Sequence, residues 1–373
     1  MNLKNGSFLG MSRDILLSNN KIVIFGTGVI CSVIVPEILR KFNLVDRIEL
    51  CVDNDRTKSG TTINICDREI SIHSPDILKK CSYHITILIA ISRFGNVLDQ
   101  LNDIKELENV PCYIIPAMCI KEFYCEGGKG VFKDADHSII PKIIHYMWLG
   151  NKPIPDKLKL CIESWRKYCP DYEIIRWDES NYDVHKNKFI SQAYDNKLYG
   201  FVPDFARLDI LYQYGGIYMD TDVELLRGVD DLLYQEAFCS VEKWQVINFG
   251  GCSGAVKGHR SLEPFLEKWE SRSLVREDGS LDDLSSGYID TKVALDHGYI
   301  INGKNQTVNG MNIYTYDYFH PYDYMTGKVE KTDDTFSVHH FNGGWLNKTS
   351  AEENLKTSMM FDKIMEAAES VDI

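Results

Sequence analysis

The chain has 373 residues, 44% hydrophobic and 25% charged, a balance that belongs to a folded globular protein and excludes a disordered one. At this length one core is outgrown and two domains are expected. The net charge of −13 is uneven: residues 1–130 carry 15 Lys+Arg against 15 Asp+Glu, residues 131–373 carry 26 against 39, and an acidic excess of that kind excludes nucleic acid as the partner.

Residues 1–20 show no charged-then-apolar leader, and no run of about 18 apolar residues follows anywhere, so neither a signal peptide nor a transmembrane segment is expected. Lys21–Phe25 is an apolar run that reads as a buried parallel strand, with Gly26-Thr27-Gly28 at the turn into a first helix. A second strand, Arg47–Val52, ends at Asp53. Strand, glycine turn, helix, strand and acid form the order of a dinucleotide-binding unit, in which Gly26 and Gly28 approach a pyrophosphate and Asp53 meets a ribose. Cys31 stands where the third glycine of that fingerprint belongs, so a scaffold or dimerisation module is the competing reading. Ile85–Ile91 and Pro111–Ile115 complete a doubly wound, Rossmann-like α/β sheet. The stretch loosely resembles small Rossmann-like domains attached to bacterial polysaccharide-biosynthesis proteins. Eleven cysteines occur with no Cys-x-x-Cys pair and no zinc-type array, which predicts free thiols in the cytoplasm, with a peripheral contact at the inner face of a membrane left open. Glu126-Gly127-Gly128-Lys129-Gly130 reads as a linker, placing the domains at 1–130 and 131–373.

A new α/β pattern opens with the strand Ile139–Trp148, whose terminal indole could stack on a base or pack at the rim of the core. A helix over 156–169, a strand over 173–177 and a helix over 189–198 follow. The segment from Pro203 to Gly216 reads as a helix, with Pro203 in its first turn and the glycine pair at its end. Asp204 and Arg207 share a face of that helix, suited to sugar hydroxyls and a diphosphate oxygen respectively, or simply to an exposed ion pair. Ile217–Met219 then reads as a buried strand that delivers Asp220 and Asp222 to one side, a carboxylate pair suited to Mg²⁺ or Mn²⁺ and a phosphate-bearing substrate. Thr335–Trp345 forms a strand carrying His339 and His340, which point oppositely, so only one could join the carboxylates as a nitrogen ligand.

Taken together, "IPKIIHYMWLG", "PDFARLDILYQYGGIYMDTD" and "HHFNGGW" resemble glycosyltransferase family 32, the DXD-type sugar transferases of yeast mannosylation and bacterial capsular-polysaccharide synthesis. The resemblance implies an A-type glycosyltransferase α/β domain behind the Rossmann-like one. It implies further that Trp148 stacks on the donor base, Asp204 holds sugar hydroxyls, Arg207 contacts donor phosphates, Tyr218 lies beside the diphosphate, and Asp220 and Asp222 hold metal and ribose. His339 or His340 would supply the late ligand, with the "HF-x-G" form favouring His340, and Asn248 would face the sugar. Gly344 replaces the usual Ser before the late Trp, and Gly287-Tyr288 replaces a common Gly-Pro pair, which weakens the transfer at both places.

The expected activity is metal-dependent transfer, with retention, of a hexose from a nucleotide-diphosphate sugar to a hydroxyl of a bacterial surface glycan or its lipid-linked precursor. UDP-hexose is the first donor expected, with a GDP-sugar behind it, and NAD(P) is not expected. Its competitors are a non-catalytic assembly protein of glycan synthesis, an NAD-dependent oxidoreductase using Gly26, Gly28 and Asp53, and a phosphohydrolase using Asp220 and Asp222.

Overall fold

The computed structural model describes residues 1–4, 6–80, 84–277, 279–282, 284–324, 326–341, 352–353 and 355–361. It is a mixed α/β protein of two compact units, Met1–Tyr124 with Asp323–Lys328 and Leu346–Ile373, and Cys125–Tyr322 with Val329–Trp345. The division falls at 124/125, and Lys129 and Gly130 of the glycine-rich segment donate their amides to Asp334 within the second unit.

In the first unit the strands are β1 (Asn2–Leu3), β2 (Lys21–Phe25), β3 (Ile48–Val52), β4 (Thr62–Ile65), β5 (Arg68–His73), β6 (Ile85–Ile89) and β7 (Pro111–Ile114). They lie in the order β1-β7-β6-β2-β3-β5-β4, parallel except for the β4–β5 hairpin. The central strands β2 and β6 are buried nearly throughout, which is why they read as continuous apolar runs. The helices are α1 (Phe8–Ser18), α2 (Val35–Lys41), α3 (Gly95–Asn102) and α4 (Ile115–Glu122). After Gly28 the chain makes a π-helical turn over Ile30–Ile34 before settling into α2, with Pro36 in its first turn. The β4–β5 hairpin, absent from the sequence reading, turns through Cys66 and Asp67 at φ 53° and 63°, the left-handed pair that a tight hairpin requires.

The second unit holds β8 (Ile143–Met147), β9 (Glu173–Trp177), β10 (Gly216–Tyr218), β11 (Val223–Leu225), β12 (Ala237–Val241), β13 (Ile247–Asn248), β14 (Ser253–Ala255), β15 (Gln306–Val308), β16 (Met311–Tyr314) and β17 (Ser337–His339). Its helices are α5 (Asp156–Tyr168), α6 (Lys188–Asp195), α7 (Val202–Tyr214), α8 (Glu263–Glu270) and α9 (Ser286–Asp296). The main sheet runs β15-β16-β12-β14-β10-β8-β9 with β13 beside β12, while β11 and β17 form a separate antiparallel pair. Strand β10 sits between parallel β8 and antiparallel β14, with Tyr218 opposite His145 on one side and Ser253 on the other. Ile144, Ile217, Trp165, Phe238 and Tyr314 pack into the core around it.

The described cysteines are all free thiols, and no helix among the described residues is long and apolar enough to cross a membrane.

Candidate functional site

Strand β10 ends at Tyr218, one residue earlier than the sequence pattern indicates, and Met219 to Asp222 form a turn into β11. Asp220 and Asp222 therefore converge through a turn and not through strand alternation. The Asp220 amide donates to the Gly250 carbonyl at 2.8 Å, which ties the turn to the segment leading into β14. β17 pairs with β11 so that His339 lies opposite Val223, immediately after Asp222. The His339 Nε2 reaches Asp222 Oδ1 at 3.2 Å and Asp220 Oδ2 at 4.0 Å. One ligand atom from each of the three residues falls within 4.8 Å of the others.

His340 departs from the expectation that favoured it. Successive side chains on a strand point to opposite faces, so the register that brings His339 to the carboxylates turns His340 away, and its Nε2 pairs with Glu224 at 2.9 Å. Its backbone amide still contributes, donating to the Asp222 carbonyl at 3.0 Å.

Arg207 is 5% exposed, so its pair with Asp204 is no surface ion pair. Its Nη2 donates to Asp204 Oδ1 at 2.6 Å, its Nε donates to the Pro203 carbonyl at 2.9 Å, and its Nη1 stands 3.9 Å from Asp220 Oδ2. Burial opposes the guanidinium charge, but Asp220 and Asp204 outweigh it and raise the pKa. Burial lifts the Asp204 carboxyl to about 6 against the pull of Arg207, and Asp220 is raised by burial in the same way. Burial also disfavours charge on His339, yet Asp222 and Asp220 reverse that and raise its pKa. Two oxygens and one imidazole nitrogen around a partly open turn suit a borderline-hard divalent ion such as Mn²⁺.

Tyr218 is buried beside Arg207 and Asp220, and burial drives its phenol pKa up, so it stays a neutral hydroxyl. Trp148 follows β8 directly and is half-buried, its Nε1 donating to the Lys152 carbonyl at 2.9 Å. Asn248 is engaged within the fold: Oδ1 accepts from the amides of Gly250 and Gly251, and Nδ2 donates to Glu242. Gly344 and Trp345 lie outside the described residues, whereas Gly287 belongs to α9, close against Val246.

Two histidines escaped the sequence reading. His145 is fully buried in β8, its Nε2 donating to the Gly215 carbonyl at 2.9 Å while its Nδ1 accepts from Trp177, and burial lowers its pKa to about 4. His320 is buried with its ring 5.3 Å from that of His339, and burial pushes its pKa well down. A residue that joins a site through a distant loop leaves no local signal, which is why His320 was not found.

In the first unit, Gly26 adopts φ 97° against Ile91, a conformation and closeness that only glycine tolerates, and Gly28 faces open space. Asp53 is engaged within its own loop. It accepts from the Thr27 amide at 2.9 Å, the Thr27 hydroxyl, the Asp55 amide at 2.9 Å and Lys58 Nζ at 3.4 Å. Burial raises its carboxyl, but the Thr27 and Asp55 hydrogen bonds prevail and lower it. Three of these bonds fall on Oδ2 and one on Oδ1, so the carboxylate ties Thr27 of the glycine turn to the segment after β3.

Comparison with known proteins bears on the second unit. Residues 155–239 match the family described as "Glycosyltransferase sugar-binding region containing DXD motif", a span that includes Asp204, Arg207, Tyr218, Asp220 and Asp222 but not Trp148, Asn248 or His339. The chain is similar to inositol phosphoceramide mannosyltransferase 3 of Schizosaccharomyces pombe, 38% identical over 132 residues, covering 34% of this chain and 35% of the relative. It is also similar to an uncharacterized glycosyltransferase of Acanthamoeba polyphaga mimivirus, 29% identical over 190 residues, covering 49% of this chain and 74% of the relative. The first two curated relatives are matched over about a third of their own length. Among solved structures, the PaToxG glycosyltransferase is 18% identical with a TM-score of 0.35, covering 59% of this chain and 79% of that one, a likeness too slight to bear on the fold.

Proposed function

We propose that the second unit is a metal-dependent glycosyltransferase that moves a hexose from a nucleotide-diphosphate sugar to a hydroxyl of a glycan or glycolipid acceptor, with retention. The convergence of Asp220, Asp222 and His339 beside the buried Arg207 carries this reading. Those three side chains would hold Mn²⁺ or Mg²⁺, which supplies positive charge to offset the negative charge gathering on the leaving diphosphate. Arg207, kept charged by its carboxylate neighbours, adds a preorganised donor for the same oxygens. Asp204, ionised above about pH 6, would both hold Arg207 and accept from sugar hydroxyls. Trp148 would stack on the donor base, and the Tyr218 hydroxyl would stand beside the diphosphate as a neutral donor.

Retention would follow a front-face route, in which the departing phosphate takes the proton of the acceptor hydroxyl. A bacterial surface glycan or its lipid-linked precursor is one acceptor class. The mannosyltransferase names of the fungal relatives add mannose and an inositol-phosphoceramide-like lipid to the candidates. UDP-hexose and a GDP-sugar are thus both donors to test. The cytoplasm, including the inner face of a membrane, is the proposed compartment, supported by the free thiols.

The test is to incubate the protein with Mn²⁺ and a panel of UDP- and GDP-sugars and follow nucleoside-diphosphate release, with and without Asp222→Asn. Diphosphate release that disappears in the variant supports transfer, inorganic phosphate would point to hydrolysis, and neither would leave a non-catalytic assembly role.

A further inference from the structure

Asn248 occupies the position where the family resemblance calls for a contact with the donor sugar, yet both heteroatoms of its amide are engaged inside the protein. Its Oδ1 accepts from the Gly250 amide at 2.8 Å and the Gly251 amide at 3.1 Å, and its Nδ2 donates to Glu242 Oε1 at 2.9 Å. One side-chain oxygen bonding two successive amides closes the chain into a tight turn. That turn touches both halves of the candidate metal centre. Gly250 accepts from the Asp220 amide at 2.8 Å, and Gly251 accepts from the hydroxyl of Ser337 at 3.2 Å, two residues before His339 on β17.

The absence of side chains at the turn matters as much as its hydrogen bonds. A Cβ on Gly250 would fall 2.1 Å from Asp220 Oδ2 and 2.9 Å from Arg207 Nη1, and one on Gly251 would fall 2.0 Å from His320 Cε1. The bare backbone is therefore packed directly under the Asp220 carboxylate, the Arg207 guanidinium and the ring that faces His339. Shifting the turn would move Asp220 and β17 relative to one another.

We propose that Asn248 is a positioning residue, which holds the Gly250–Gly251 turn so that Asp220 and His339 keep the spacing a divalent ion needs, and that it does not act on the donor sugar. The chemical consequence rests on the glycosyltransferase reading, whereas the clamp itself does not. Loss of a hydrogen bond behind a metal ligand weakens metal affinity by roughly 10- to 100-fold. Donor binding at saturating metal should change little.

The experiment compares the full chain with Asn248→Ala and with the paired swap Asn248→Asp plus Glu242→Gln. The swap keeps an acceptor oxygen toward the two glycine amides and reverses the donor across the pair, at constant total charge. Three quantities are read: hydrogen exchange of the peptides spanning 220–222 and 248–251, Mn²⁺ affinity by calorimetry, and donor KM at saturating Mn²⁺. Asn248→Ala should speed exchange at both peptides roughly tenfold or more and weaken Mn²⁺ binding, leaving donor KM within about threefold, and the swap should restore exchange and metal affinity. If Asn248→Ala does not fold, Asn248→Ser, which keeps one acceptor oxygen, is read in the same way. Unchanged exchange in the single variant, a raised donor KM with metal affinity intact, or a swap that restores nothing would each overturn the inference. A wild-type chain that does not bind Mn²⁺ would instead defeat the metal reading of the site, and the exchange data would still decide the role of Asn248.

Discussion

Replacing Arg207 by Met, which keeps the length of the side chain and deletes its charge, should destabilise the second unit in a pH-dependent way. The guanidinium lies 2.6 Å from Asp204 Oδ1 and 3.9 Å from Asp220 Oδ2. At an effective dielectric of about 20 these separations correspond to roughly 6 and 4 kcal/mol of attraction. Several kcal/mol of desolvation must be set against that sum, leaving about 3–5 kcal/mol, the usual cost of stripping one partner from a buried pair. The sign of the pH effect follows from Asp204. Its carboxyl is raised to about 6 in the folded chain, so between about pH 4 and 6 the folded state keeps a proton the unfolded chain has released, and stability falls as pH rises through that window. Without Arg207 the same carboxyl is raised further and the window extends upward. The loss should therefore reach about 3–5 kcal/mol at pH 8 and fall to less than about half of that at pH 5, where Asp204 can escape its charge by protonation. Urea unfolding followed by tryptophan fluorescence measures it cleanly, because all six tryptophans lie between residues 148 and 345. Equal losses at the two pH values, or a loss below about 1 kcal/mol as expected of a surface pair, would refute the reasoning.

His339→Gln, which removes a direct ligand, should weaken Mn²⁺ binding by more than the roughly 10- to 100-fold that loss of a group behind a ligand costs, while His340→Gln changes it by less than about threefold, as measured by calorimetry; the reverse order would put His340 and not His339 at the ion. The neutral His145, lowered to about 4 by burial, binds fewer protons folded than unfolded between about pH 4 and 6.5, so stability is lost as pH falls through that window. In His145→Gln that part of the acid sensitivity, about 3 kcal/mol, should vanish from urea midpoints taken across the window, and an unchanged slope would count against it. Asp53→Ala should lower the stability of the first unit by about 1–3 kcal/mol through the stranded Thr27 and Asp55 donors, seen as faster hydrogen exchange in the 26–28 and 53–58 peptides. Titration with NADH should give no change in its fluorescence with either form, and saturable binding lost in Asp53→Ala would restore the dinucleotide reading.

The parts legible in the sequence are those whose signals are local. Strands β2, β6 and β7 are buried apolar runs, and α7 declares itself by the proline in its first turn and the glycines after its end. The carboxylate pair of the Asp220–Asp222 turn is likewise visible because both acids come from one short segment. What stayed hidden depends on pairing between distant segments. The choice between His339 and His340 is made by the register of two three-residue strands more than 110 positions apart, and such short strands carry too little pattern to reveal it. The burial of Arg207 was equally invisible, since an Asp/Arg pair three apart looks the same on an exposed helix as on one enclosed from all sides. Asn248 and His320 owe their places to the Gly250–Gly251 turn, where the informative feature is a missing side chain.

Sugar transfer at this site requires a divalent ion that the Asp220, Asp222 and His339 side chains bind and that also touches the donor diphosphate. Pulsed electron paramagnetic resonance of the Mn²⁺-loaded protein measures both contacts at once. A ¹⁴N coupling present in the wild type and absent in His339→Gln, joined by a ³¹P coupling when UDP or GDP is added, is the predicted result. A spectrum indistinguishable from hydrated Mn²⁺, or a ³¹P coupling that persists unchanged in Asp222→Asn, would contradict it.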